Sequence, residues 1–216
     1  MAFGAGDRHA DARDATVRPT ATDPAARTHA MPLIRETIVA TIAPDGRPHL
    51  APLGLIQHGA LWTIAPFQPS ATLANLLATP QATASHPADI RVFAGLLTGR
   101  RDWPVVASDR VRPPRLADAL SHWELEVAAP HEDEVRPRFQ CRVVHEAAHA
   151  PFPGHNRAAA AVIEGAILVS RLHMLARDKV DAEMAYLRIA VNKTAGPLER
   201  EAWSWLEEAV AGQGAR

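Results

Sequence analysis

Between Leu33 and His86 the sequence alternates short β-branched or apolar runs with turn signals, a spacing that suits strands and leaves no room for long helices. Leu33 to Ile42 carries Ile34, Thr37, Ile38, Val39, Thr41 and Ile42, whose branched side chains pack well on a pleated surface. Asp45-Gly46 then gives a two-residue hairpin signal, because glycine tolerates the positive φ such a turn needs. A partner strand is expected from about Arg47 to Gln57, a turn at His58-Gly59, and a third strand over Leu61 to Ala65. Thr72 to Leu77 reads as a short helix stopped near Pro80, and Gln81 to His86 as a fourth strand. Trp123 to Val127 and Arg138 to His145 supply two more, joined by the acidic turn His131 to Glu134. Six short strands with few helices among them predict a closed antiparallel barrel. Asp89 to Ser121, punctuated by Gly95, Gly99, Pro104 and Pro113-Pro114, predicts a short helix near Val92 and then an irregular excursion.

The period changes in the C-terminal third. An Ala-rich helix is expected from about Asn156 to Met174. Val180, Met184, Leu187 and Val191 recur at helical spacing, as do Leu198, Ala202, Trp205, Leu206 and Ala209. Asp178 is expected to cap the first of these helices, and Gly196-Pro197 to separate the two. The fold class is therefore α+β: an antiparallel six-stranded barrel over 31–150 with a three-helix appendage over 151–216. Residues 1–30 are largely Ala, Asp, Arg, Thr and Pro without apolar periodicity, so a disordered tail is expected.

The bulk numbers exclude whole classes of partner. A net charge of −1 implies no basic face, so no nucleic-acid partner is expected. One cysteine, Cys141, precludes an internal disulfide and suits a reducing compartment. No apolar run has membrane-spanning length and no signal-peptide pattern opens the chain, so a cytoplasmic protein without a membrane partner is expected.

Four stretches can carry chemistry. His145-Glu146-Ala147-Ala148-His149 matches the H-E-x-x-H of zinc hydrolases formally. That chemistry needs both histidines inside one helix. Here a strand leads in, Pro151 and Pro153 follow, and no third ligand is placed, so no metal site is expected and the hydrolase is the remote alternative. Pro66 to Leu76 follows a strand and opens a helix. Ser70 and Thr72 there either cap the helix or, with its free N–H groups, hold a phosphate. Arg35-Glu36-Thr37-Ile38 lies opposite Ala51-Pro52-Leu53-Gly54. Pro52 removes a ladder donor and Gly54 permits close approach, so a flat heterocycle against this rim and a merely kinked hairpin are both open readings. In Asn156-Arg157-Ala158, Arg157 is placed to grip a phosphate bidentately, or equally to pair with Glu164. His49, His86 and His122 read as structural, Cys141 as a buried small residue, and Trp203 and Trp205 as core or dimer contacts.

Taken in order, Arg35-Glu36-Thr37-Ile38-Val39, Asp45-Gly46, Ala51-Pro52-Leu53-Gly54, Pro66-x-x-Pro69-Ser70-x-Thr72-x-x-Asn75-Leu76 and Asn156-Arg157-Ala158 resemble a group within the FMN-binding split-barrel superfamily, found in methanogenic archaea and methylotrophic bacteria. The resemblance spans about Met31 to Val210. It implies a six-stranded split barrel (flavin reductase-like or pyridoxamine phosphate oxidase-like), a helical C-terminal part, a homodimer, and FMN near the dimer interface. By the same resemblance Ser70, Thr72 and Asn75 hold the phosphate; Arg157 keeps the phosphate contact given above as one of its two readings. Glu36, Thr37, Ile38, Pro52, Leu53 and Gly54 then approach the ring. His49 and the His86 to Asp89 turn depart from the group's pattern. The implied function is a flavoprotein acting on a small, pterin-like substrate of tetrahydromethanopterin-dependent one-carbon metabolism. The alternative is a non-catalytic module binding flavin, deazaflavin or pterin.

Overall fold

The computed structural model describes residues 32–213 apart from residue 132; the expected tail lies outside the described residues. Six strands close a barrel in the order β1-β2-β3-β8-β7-β4, all neighbours antiparallel. They are β1 (Ile34–Ile42), β2 (Pro48–His58), β3 (Leu61–Ile64), β4 (Gln81–Pro87), β7 (Ala119–His131) and β8 (Arg138–Ala148). Helix α1 (Ala71–Ala78) links β3 to β4, and α2 (Arg91–Leu97) follows β4. A separate two-stranded ribbon, β5 (Val105–Val106) with β6 (Arg115–Leu116), gives order to the expected irregular excursion. Three helices end the chain: α3 (Arg157–Ser170), α4 (Arg177–Thr194) and α5 (Pro197–Gln213). None of the described helices is long and apolar enough to cross a membrane.

Two cores divide the strands' faces. Val39, Leu55, Trp62, Ile64, Ala84, Leu125, Phe139 and Cys141 fill the barrel, with Leu73 and Leu76 of α1. Ile38 looks the other way, into the cluster formed by α2, α3, α4 and α5. This explains why Thr37 to Thr41 are all buried rather than alternating: β1 is covered on both faces. Cys141 is wholly buried, and burial pushes its thiol up to about 12. Trp203 is a core residue, whereas Trp205 lies half-buried beneath the Arg100 guanidinium.

Several local expectations change. The first hairpin is a three-residue turn, not two: Gly46 N–H donates to the Ala43 carbonyl, Ala43 N–H to that of Arg47, and Gly46 takes positive φ. Pro44 fixes its own φ negative, so the turn begins with Pro44 and leaves Gly46 for the left-handed position. Asp178 is not the cap of α4. That helix begins one residue after Ala176, which offers no side-chain acceptor, and Asp178 sits in the first turn, where its charge favours the helix dipole. Helix α3 ends at Ser170, four residues short of its expected end. Strand β7 starts four residues before Trp123, and β8 runs three residues beyond His145, so most of H-E-x-x-H is strand.

Candidate functional site

The barrel is split between β2 and the start of α1. Strand β2 has eleven residues, but β3 pairs only with its last three, Ile56 to His58. On that side, residues 48–55 have no strand partner among the described residues, although β1 pairs along their other side. Pro52 lies in this stretch, where its missing N–H costs no ladder bond. The chain leaving β3 runs through Pro66 to Pro69 and enters α1. Asn75 Nδ2 of α1 donates to Thr41 Oγ1 of β1 at 3.0 Å, which pins the helix against the opening.

The start of α1 is a donor-rich corner. A helix leaves its first four N–H groups without intrahelical partners. Ser70 Oγ accepts from Leu73 N–H at 3.2 Å and the Ser70 carbonyl from Ala74 N–H at 3.1 Å. The N–H groups of Ala71 and Thr72 remain, and the Thr72 hydroxyl has no hydrogen-bond partner among the described residues. Ser70 is thus the cap, and its hydroxyl hydrogen is still available outward. Asn75 is not: its amide is committed to Thr41, and it is buried.

Arg136, absent from the sequence-based set, is brought to the segment that leads into this corner. Asp133 Oδ1 accepts from Val135 N–H at 2.9 Å and Arg136 N–H at 2.8 Å, and these donors hold its carboxyl below the usual range. The tight turn so formed sends the Arg136 guanidinium over the Phe67 ring, 4.3 Å from its centroid, and onto the Ala65 carbonyl at 2.9 Å. The only sequence hint was Asp133, two residues before Val135, in a turn read merely as acidic.

The other predicted residues fall on two faces. Strand period two puts Glu36, Ile38, Pro52 and Gly54 on the side of β1 and β2 facing the C-terminal helices. Thr37 and Leu53 face the barrel, where Thr37 Oγ1 donates to the Leu53 carbonyl at 3.1 Å. One flat ring cannot lie against both faces. The space over Gly54 is also taken: a Cβ there would lie 2.7 Å from Ile34 Cγ2 and 3.1 Å from Glu36 Oε1. Gly54 therefore makes room for the chain's own side chains. Burial and the like charge of Glu164 push the Glu36 carboxyl up, against the opposing charge of Arg171. Arg157 is exposed at the start of α3, beside the cap Asn156, which is tied to Thr194 of α4. Among the described residues no hydrogen bond or ion pair joins Arg157 to Ser70 or Thr72. Two open clefts lie among the helices, one lined by Arg177, Met184 and Arg188, the other by Leu97, His173 and Trp205; neither touches the split.

A closed six-stranded barrel, split beside an anion-ready helix start and followed by a helical C-terminal part, defines the class: a split-barrel protein with an appended helical region. Within that class, the chain belongs to the family described as Protein of unknown function (DUF447), whose N-terminal domain matches residues 35–150 and whose C-terminal part matches residues 156–208. An FMN-bound protein of this family from Methanosarcina mazei is similar with a TM-score of 0.71 and 19% identity, over 82% of this chain and 94% of that one. Weaker likenesses, both with a TM-score of 0.46, link it to two further proteins. One is the 2-nitrobenzoate 2-nitroreductase of Pseudomonas fluorescens, at 17% identity over 56% of this chain and 67% of that one. The other is an FMN-binding protein from Thermus thermophilus, at 19% identity over 61% and 80%. No curated protein matches the chain.

Proposed function

We propose that this protein binds FMN in the split, with the phosphate on the start of α1, and works as a homodimeric flavoprotein on a small substrate. The observation that carries the reading is the corner at Ser70 to Thr72. Two helix N–H groups and two hydroxyls stand at a place where the described chain supplies no anion, and the Arg136 guanidinium lies on the segment leading into it, against Ala65 and Phe67. A phosphate monoester suits such a corner, because the helix dipole and charge-assisted donors act together. The FMN-bound relative supports the choice of ligand. The unpaired edge of β2 at 48–55 then offers backbone donors and acceptors to the edge of the ring.

When bound, the flavin supplies hydride or electron transfer, and the chain's part is to hold and orient it. Glu36 is the titratable group beside the split whose protonated form the surroundings favour, so it is the candidate for tuning the ring or handing on a proton. A pterin-like substrate of tetrahydromethanopterin-linked one-carbon metabolism remains the preferred substrate class; storage of FMN without turnover is the competing reading.

The test is titration of the full-length apoprotein with FMN, followed by flavin fluorescence and absorbance. Saturable uptake of one FMN per chain is expected. Arg136→Ala should weaken it by about tenfold or more, the scale of a hydrogen bond to a charged group. No saturable uptake by the wild type would remove the proposal. Flavin that binds but is not reoxidised by any pterin or other small acceptor favours the storage module.

A further inference from the structure

The opposite wall of the barrel carries a second cluster that the flavin reading does not use. Strands β4, β7 and β8 turn Ala84, Leu125 and Cys141 inward, and their outer faces are covered by the 105–117 excursion. On that outer face, beneath the excursion, lie His122 and Glu124 of β7, both with no exposed surface. His145 of β8 lies directly opposite Glu124. Its place there is made by a bulge: Leu125 pairs with Val143 but Glu124 with His145, so Val144 is the extra residue. Without it, His145 would share the inward side of Val143; the bulge turns the imidazole outward. Ala147, opposite His122, is small enough to leave space for the rings.

Glu124 is held as an anion. Burial alone would push its carboxyl up, but the backbone N–H groups of Asp109, Arg110 and Val111, with His122, hold it below the usual range. Asp109 N–H donates to Oε1 at 2.7 Å; Arg110 and Val111 N–H donate to Oε2 at 2.6 and 2.9 Å. A carboxylate has about four lone-pair sites. The fourth, on Oε1, is directed at His122 Nε2, 3.2 Å away. His122 Nδ1 in turn meets His149 Nε2 at 3.0 Å. Across the cluster, His145 Nε2 stands 3.2 Å from Asp109 Oδ2, but without hydrogen-bond geometry: this buried nitrogen has no partner.

We infer that Asp109, His122, Glu124 and His145 form a four-ligand site for one divalent transition-metal ion, zinc first among them. One ligand atom from each lies within 4.8 Å of all the others. Two opposite edges of the set, His122–Glu124 and His145–Asp109, each measure 3.2 Å. Tetrahedral zinc with N and O ligands at about 2.0–2.2 Å has edges of roughly 3.3–3.5 Å, so these two are near their final length and the other pairs close in. Two imidazoles with two carboxylates balance a divalent charge. His122 would bind through Nε2 and donate its Nδ1 proton to His149, the outer-shell support that metal-binding histidines usually have. All four positions come from protein, which marks a structural site: the ion would staple the excursion, through Asp109, to the barrel wall. Glu146 alternates to the other face of β8, so the H-E-x-x-H stretch supplies one ligand, His145, and an outer-shell partner, His149, without its general base.

The site shares no residue with the split, and the test reads metal rather than flavin. Untagged full-length protein, stripped with a chelator, is titrated with Zn²⁺ against a chromophoric competitor. One Zn²⁺ per chain is expected, with Co²⁺ giving the absorption of a tetrahedral ion at the same stoichiometry. His145→Ala and Asp109→Asn should each weaken binding at least tenfold, and His149→Ala by about 10–100-fold. The side chains of His145 and Asp109 are 30% and 69% exposed, so these variants should fold. No saturable uptake by the wild type, or equal uptake by His145→Ala, overturns the site. FMN affinity, measured with and without Zn²⁺, fails or survives independently.

Discussion

Two places in this barrel point several backbone N–H groups at one spot, and they differ in what fills it. At 109–111 three N–H groups converge on the chain's own Glu124, fully buried between β7 and the excursion. At 71–72 the start of α1 presents its N–H groups, with the Thr72 hydroxyl, and the described chain sends no acceptor. The first is a closed anion site and the second an open one. Backbone donors do not distinguish a structural carboxylate from a ligand's phosphate; whether the protein supplies the acceptor does. A closed site is worth stability, an open site is worth affinity.

The largest effect should come from breaking the closed site. Glu124→Ala leaves the three N–H groups of 109–111 and His122 Nε2 without their acceptor. Loss of about 3–5 kcal/mol is expected, the usual cost of removing one partner of a buried charged network. Chelator-treated protein unfolded with denaturant measures it without any contribution from metal. Faster amide exchange confined to 109–111 would accompany it. A loss below about 1 kcal/mol would mean the excursion is held by its other contacts, such as Thr83 Oγ1 to the Pro114 carbonyl at 2.7 Å.

The open site should respond in the other currency. Thr72→Val keeps the packed shape and removes a hydroxyl that has no partner among the described residues. Stability of the apoprotein should stay nearly level, while FMN affinity drops by about 1–2 kcal/mol, roughly 5–30-fold, and Thr72→Ser restores it. Equal FMN affinity in Thr72→Val would return this residue to packing alone. Ser70→Ala is the intermediate case, because Ser70 serves the helix itself. It should cost about 1 kcal/mol of apoprotein stability as a lost cap, read as a lower denaturation midpoint.

This contrast explains what the sequence makes legible. Turn signals and branched runs marked the six barrel strands, because local backbone preference and strand alternation agree there. Ser70 could be read as cap or phosphate ligand and no further, since both roles ask for a hydroxyl at a helix start. The closed site was hidden for a different reason. Its parts come from 109, 122–124 and 145, joined by register alone, and the bulge at Val144 reverses the parity that a periodic reading would give His145. His145, Ala147 and His149 alternate at strand spacing, a signal masked by their match to a helical motif. Arg136 was missed because an Asx turn is set by Asp133's acceptor geometry, which composition registers only as negative charge. Gly54 was legible as a close approach, but not as one to Ile34 and Glu36.

The same comparison sharpens on two carboxyls at its smallest effect. Glu124 has more burial than Glu36, yet its pKa is lowered and that of Glu36 raised. Glu36 makes no hydrogen bond to a donor among the described residues and faces Glu164, whereas Glu124 has its three N–H groups. The signs of their pH dependence are therefore opposite. Glu124, depressed in the folded state, stabilises above the unfolded carboxyl value of about 4.3, and that stability is lost as pH falls through its folded pKa. Glu36, raised when folded, stabilises most below that unfolded value, and this is lost as pH rises through its own higher pKa. Glu36→Gln should accordingly gain stability near neutral pH. The gain should stay below about 1 kcal/mol, because Glu36 is partly exposed and solvent screens it. Glu164→Gln should move the Glu36 titration downward, toward the ordinary carboxyl, without moving that of Glu124; carbon-detected NMR of the side-chain carboxyls resolves both. If Glu36 holds its titration unchanged in Glu164→Gln, burial alone sets it. The split would then contain a carboxyl governed by desolvation, one that bound FMN, by excluding more water, should push still higher.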